Sequence, residues 1–294
     1  MILVTGATGK TGRALVRQIV AMGMPVRALV RDRAKVAELE AEGAEIVVGD
    51  LGKAETLAPA LVGIDKAYLI TAADPAQVML HSNFIRAAKQ AGVRHIVRHS
   101  VRGAELDSPI KIARWHATSQ KELEHSGIAW THLQPVYSMQ NFLTFASTIE
   151  SQGTFYAPMK DGALSMVDAR DVAAVAAAVL IESVPHQDKT YLVTGPEALT
   201  FADAAEQLSA VLAKPIRYTD ITPENARKAL VQKGVPEWYV DDLLGFYAFY
   251  NTGAGATVSD TVATITGQSG RRFHQFAQDY RSAFSGNAVT RETP

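Results

Sequence analysis

The chain has 294 residues, 47% hydrophobic and 20% charged, and its 29 basic and 30 acidic side chains leave a formal net charge of −1. A balance so close to neutral excludes the basic footprint of a nucleic-acid binder or a polybasic membrane anchor. The lack of cysteine excludes disulfides, thiolate metal sites and a cysteine nucleophile.

The first apolar run, residues 2–5, has no charged leader before it, so no signal peptide is expected. The longest apolar run, 172–181, falls short of a bilayer span. A cytoplasmic protein without membrane or nucleic-acid partners is the expectation. From residue 2 onward, strand-length runs alternate with helix-period segments. The pattern predicts strands at 2–5, 26–30, 45–48, 66–71, 95–99 and 130–133, and helices at 11–22, 33–42, 53–61, 76–91 and 110–126. Each parallel crossover needs a helix, so this order predicts an α/β fold: a Rossmann-type doubly wound parallel sheet over residues 1–135. After Pro135 the rhythm changes. A helix is expected at 137–151, a loop at 153–162, and an alanine-rich helix at 168–181 capped by Asp168. One more strand follows at 191–194, so residues 168–194 return to the core. Helices at 200–212, 223–233 and 236–250 make the rest a smaller α-rich C-terminal region, and the polar tail 285–294 is expected to be disordered.

Thr5-Gly6-Ala7-Thr8-Gly9-Lys10-Thr11-Gly12 joins the first strand to the first helix. Glycines spaced by three allow a tight turn, close approach of backbone to a pyrophosphate, and close helix–strand packing. The helix N-terminus offers free N–H groups to that anion. The loop from Gly6 to Gly12, with Thr8, Gly9, Lys10 and Thr11, is therefore a dinucleotide-binding candidate. An acidic residue at the tip of the second strand would favour NAD; here Arg31 stands there, with Lys35 a turn later. A guanidinium suits a 2′-phosphate, so NADPH is expected, with NADH as the alternative. Asp32 could point at the ribose instead, or pair with Arg31.

Together with this loop, Leu29-Val30-Arg31-Asp32, Gly49-Asp50-Leu51, Leu133-Gln134-Pro135 with Tyr137 and Asn141, Asp168–Ala173 and Val258–Val262 make the chain resemble a known family. It is similar to the atypical short-chain dehydrogenases/reductases, in their NmrA-like branch. That branch holds NAD(P)H-dependent azo-dye, quinone and triphenylmethane-dye reductases, and also non-catalytic NADP-sensing regulators. The resemblance implies that Asp50 and Leu51 edge the adenine, that Thr71, Ala72 and Ala73 line the ribose side, and that Pro135 sits near the nicotinamide.

The wider superfamily uses a tyrosine acid and a lysine four residues later on the helix after the fifth strand. Aligned on that pattern, His116 replaces the tyrosine and Gln120 the lysine. Either these two hydrogen-bond nicotinamide, ribose or substrate as the catalytic pair, or they are satisfied polar groups against the sheet. Tyr156 and Lys160 have the right spacing, but Pro158 lies between them and the segment reads as loop, so they are rejected. His95 and His99 on one strand stand roughly 13 Å apart, too far to chelate one metal. Tyr137, Asn141 and Phe155, with the aromatics at 246–250 beside Gly253 and Gly255, could form a pocket and mobile lid for a planar aromatic substrate, or simply a core. Without a strong acid, hydride transfer suits conjugated acceptors that disperse charge. The expected function is thus an NAD(P)H-dependent reductase of azo dyes or quinones, acting as a monomer or homodimer. The alternative is an NADP(H)-sensing regulator.

Overall fold

Short runs such as Val26-Arg-Ala-Leu-Val30 carry β-branched and aliphatic residues on both faces, the mark of a strand covered on both sides. The computed structural model describes residues 1–182 and 184–286; from residue 287 the expected disordered tail lies outside them. In chain order the first elements are β1 (Ile2–Val4), α1 (Lys10–Ala21), β2 (Val26–Val30), α2 (Ala37–Ala41), β3 (Glu45–Val48), α3 (Leu57–Ala60), β4 (Lys66–Leu69), α4 (Gln77–Gln90), β5 (His95–His99), α5 (Lys111–Glu124) and β6 (Ala129–Pro135). Next come α6 (Ala146–Gln152), β7 (Thr154–Ala157), α7 (Ala169–Ile181), β8 (Lys189–Val193), α8 (Phe201–Leu212) and β9 (Arg217–Asp220). The chain continues with α9 (Pro223–Gln232), α10 (Glu237–Phe249), α11 (Thr261–Thr266), α12 (Phe273–Asp279) and α13 (Arg281–Phe284).

One unit comprises residues 1–135, 169–193 and 261–268. Among the described residues it holds a seven-stranded parallel sheet in the order β3-β2-β1-β4-β5-β6-β8. Helix α1 buries Gly12, Leu15, Val16 and Ile19, a stripe at helical period, and packs against the alanine-rich α7. Gln18 ties the two by donating to the Arg170 carbonyl at 3.0 Å. The opposite face of the sheet carries α4 and α5, where Phe84, Ile85 and Leu123 close over Leu3, Ala67, Leu69 and Ile96. Strand order reverses between β1 and β4, which opens a crevice at the carboxyl ends of those strands.

The other unit comprises residues 136–168, 194–260 and those from 269 onward. Here the structure departs from expectation. The single helix expected at 137–151 is a 3₁₀ segment, Met139–Phe145, followed by α6. The expected loop at 153–162 contains β7, which pairs in parallel with β9 as Phe155↔Tyr218 and Tyr156↔Thr219. Phe155 and Ala157 are buried while Tyr156 is exposed, the alternation of a half-covered strand. Helix α8 starts from a reciprocal capping box between Thr200 and Asp203. The stretch around 253–255, read as lid or core, is tied back by hydrogen bonds. Ser165 holds the Gly255 carbonyl with both its amide (2.8 Å) and its hydroxyl (3.0 Å), and Asn251 donates to the Pro158 carbonyl at 3.0 Å.

Candidate dinucleotide site

The glycine loop sits at the switch point of the sheet. Thr5 locks β1 to the end of β4: its hydroxyl donates to the Ile70 carbonyl at 2.7 Å and accepts from the Ile70 amide at 2.8 Å. Gly6 then turns with φ +55°, and a Cβ there would meet Ile70 Cγ2 at 2.8 Å. Gly9 donates to the Gly6 carbonyl at 2.9 Å and serves as N-cap of α1 without a side chain to compete for its amides. Gly12 is the closest packed: a Cβ would lie 2.2 Å from the Gly6 carbonyl oxygen. The first turn of α1 contains no acidic residue, so its dipole is uncompensated from within the helix. Gly6, Thr8, Gly9 and Lys10 are exposed, and Thr11 is half-buried. An exposed backbone cradle at an uncompensated helix N-terminus fits a pyrophosphate.

Arg31 follows β2 directly, is exposed, and makes no ion pair among the described residues. Asp32 does not pair with it. Its carboxylate accepts from the Ala34 amide at 2.9 Å and caps the next 3₁₀ turn. The side chain of Lys35 lies outside what the structure describes. Asp50 spends one carboxylate oxygen on the Gly52 amide (2.8 Å), and Asn83 of α4 holds the Leu51 carbonyl at 2.9 Å. Both residues are half-buried on a fixed loop. After β4, Thr71 is half-buried, and Ala72 and Ala73 are exposed.

Between the sheet and α4–α5 lies a polar layer. Arg98 of β5 is fully buried, with its Nε 3.2 Å from Nδ1 of His81 on α4 and its Nη2 3.1 Å from Nδ1 of His116 on α5. His81 Nε2 in turn lies 3.1 Å from the Thr71 hydroxyl. Burial lowers the Arg98 guanidinium to about 9, so it stays cationic at neutral pH. Burial, and then the Arg98 charge, hold both histidines well below the ordinary imidazole range. Beside them, Ser100 donates to the amide oxygen of Gln120 at 2.5 Å, and Gln134 approaches the same oxygen at 3.5 Å. Pro135 ends β6 and accepts from the Arg102 amide at 3.0 Å.

Arg98, His81 and Ser100 were missed from sequence. The available signal was a charged residue in the middle of Ile96-Val-Arg-His99, a strand that the βα alternation places inside the sheet. His95 and His99 have separate partners, Thr131 at 2.9 Å and the Tyr68 hydroxyl at 2.7 Å.

In the other unit, Tyr137 is buried against Phe142, Phe201 and Tyr250 with ring centroids 6.0–6.4 Å apart. Burial raises its phenol well above the usual range. Asn141 is exposed on the 3₁₀ segment. Phe155 has no exposed surface and packs on Phe142, Phe145, Phe201 and Tyr218. It is a core residue of this unit, which corrects its assignment to the substrate. Tyr156 lies on strand β7 and not in a loop; it is exposed and bonded to Gln152, while Lys160 takes φ +45° in the turn beyond.

Comparison with known proteins places this geometry. The model of the NmrA-like family matches residues 1–293. The chain is 43% identical over 284 residues to the NAD(P)H azoreductase of Xenophilus azovorans, covering 97% of this chain and 99% of that protein. The Escherichia coli NADPH-dependent quinone oxidoreductase in complex with NADPH is similar in structure, with TM-score 0.86 and 29% identity over 96% of this chain and all of that one. The triphenylmethane reductase of Citrobacter sp. complexed with NADP(H) superposes with TM-score 0.83 and 27% identity, over 96% of this chain and 100% of that one. With a family model spanning nearly every residue, the chain belongs to the NmrA-like family.

Proposed function

We propose that this protein is an NAD(P)H-dependent reductase that passes a hydride to conjugated aromatic acceptors such as quinones or azo dyes, with NADPH preferred. The observation that carries the reading is on α5. His116 is a neutral imidazole and Gln120 a buried amide, so that helix face offers hydrogen bonds and no strong acid. Bound NADPH supplies the hydride. The loop from Gly6 to Gly12 and the start of α1 would hold the pyrophosphate, and Arg31 would hold the 2′-phosphate. Asp50 and Leu51 border the adenine, residues 71–73 the ribose side, and Pro135 the nicotinamide. His116 and Gln120 orient the reacting end by hydrogen bonding. Tyr137 and Asn141 are the residues proposed for the acceptor.

A hydride arriving on a quinone or azo group leaves charge spread over a conjugated system, and a neutral donor is enough to steady it. An aliphatic ketone would instead build up localised alkoxide charge, and this face offers no strong acid to neutralise it as it forms. The similarity to an azoreductase, a quinone oxidoreductase and a triphenylmethane reductase supports the same acceptor class. The test follows NADPH absorbance against quinones, azo dyes and simple aliphatic ketones. Turnover with the first two and almost none with the third is expected. Robust ketone reduction overturns the reading. Tight NADPH binding without oxidation by any conjugated acceptor points instead to a cofactor sensor.

A further inference from the structure

Arg98 is a fully buried cation in the middle of the sheet, on β5. A guanidinium buried in a central strand normally meets a carboxylate. Here, among the described residues, its hydrogen-bond partners are two imidazoles, and Nη1 has none. The guanidinium carries donors only. Both histidines must therefore accept at Nδ1, which leaves the proton of each neutral ring on Nε2.

Each ring then passes that polarity outward. His81 Nε2–H donates to the Thr71 oxygen, so the Thr71 hydroxyl proton is turned to other acceptors. His116, which is half-buried, presents an Nε2–H of its own. Two hydrogen-bonded arms start from one cation inside the layer, and each ends in a donor on a residue assigned above to the ribose side or the reacting end.

We propose that Arg98 is the positioning residue of this site, fixing His116 and His81 as Nε2–H tautomers so that His116 and Thr71 act as hydrogen-bond donors. The catalytic part of this inference rests on the role given to His116 under the proposed function; the tautomer part does not. A donor at His116 suits a carbonyl or azo acceptor, which gains electron density as the hydride arrives and strengthens exactly that kind of bond only in the transition state. An acceptor nitrogen in its place would repel the same charge. The charged and titratable groups facing His116 are Arg98 and His99 from β5 and His81 from α4, and none is a carboxylate. The imidazole therefore stays neutral through the ordinary working range, and its donor role does not switch with pH.

The test is long-range ¹H–¹⁵N NMR of the full chain labelled at histidine, run from about pH 5 to about pH 9, the interval that brackets ordinary histidine titration. His81 and His116 are expected as neutral Nε2–H forms throughout. Nδ1–H forms, or protonation of either ring near the ordinary value of about 6.5, overturn the proposal with no variant needed. In Arg98→Met, which keeps the volume and removes the donors, His116 should show mixed tautomers and titrate closer to that ordinary value. The kcat/KM for the conjugated acceptor should fall about tenfold, the loss of one hydrogen bond to a charged group. An unchanged histidine spectrum in a folded Arg98→Met protein overturns the positioning role. A changed spectrum with unchanged turnover supports the positioning and removes His116 from the reaction, so the two readings fail separately.

Discussion

Nη2 of Arg98 stands 3.1 Å from Nδ1 of His116, and no carboxylate pairs with that guanidinium among the described residues. Around this pair the core is unusually rich in neutral imidazole. Burial lowers His95 and His99 to about 4 and holds His81 and His116 well below their ordinary range, with the Arg98 charge adding to the effect on His81, His99 and His116.

The sign of the pH dependence follows. An unfolded histidine takes up a proton near 6.5, whereas folded His95 and His99 do not until about 4, and His81 and His116 are held well below that ordinary value. Between those values the unfolded chain binds more protons, so stability falls as pH falls and rises as it rises. Urea midpoints measured across this window should drop steadily on acidification, with proton uptake on unfolding. A flat profile would show that the histidines are already charged in the folded protein.

Arg31→Ala should weaken NADPH binding about tenfold or more while leaving NADH binding nearly unchanged, since a charged hydrogen bond is worth roughly 1.5–3 kcal/mol. Titration of both cofactors into both proteins measures this. Equal wild-type affinities for the two cofactors would remove Arg31 from the 2′-phosphate.

Gly12→Ala would put a methyl group 2.2 Å from the Gly6 carbonyl oxygen, a backbone atom that cannot swing away. Overpacking of this kind costs about 1–3 kcal/mol. Lower thermal stability is expected, with loss of the extra stabilisation that NADPH gives the wild type. Gly9→Ala, whose Cβ would lie 3.3 Å from the same oxygen, should be milder on both counts.

Phe155→Ala should cost about 3–5 kcal/mol, the range for emptying an aromatic site in a core. Phe155→Leu should keep the acceptor KM close to that of the wild type. A large rise in KM in a stable Phe155→Leu protein would return this residue to the substrate.

Tyr156→Phe and Lys160→Ala should keep kcat within a small factor of wild type. Tyr156 is exposed and bonded to Gln152, and Lys160 sits in a turn, so neither is held as an acid–base pair would be. A loss of about a hundredfold in both, the scale of removing a general acid, would reinstate them.

How far the sequence reaches depends on the range of the interaction that sets each feature. The parallel sheet and the glycine loop were legible because their signals are local: apolar runs, helical stripes such as Leu15, Val16 and Ile19, and glycines at fixed spacing. Strand β7 was hidden because it is four residues long in Gly- and Pro-rich surroundings, and its partner β9 begins at Arg217. Phe155 was misread because an aromatic ring looks the same in a pocket and in a core until its neighbours are known. Asp32 was ambiguous because its cap to Ala34 is a matter of backbone geometry. Arg98 escaped notice because a charge within a strand has meaning only once β5 is seen between β4 and β6.

The sheet unit is assembled from three separate stretches of chain, and this bears on how the protein is made. When residue 135 leaves the ribosome, β6 still lacks its neighbour β8, and the apolar side of α1 still lacks α7. The nascent chain must hold an open hydrogen-bonding edge and an uncovered helix face until residues 169–193 emerge, with α11 arriving later still. An unpaired edge next to apolar surface is where chains stick to one another. A shortened gene ending after Pro135 should therefore yield an aggregating product, and chaperones should engage the growing chain over the interval in which residues 136–193 emerge from the ribosome.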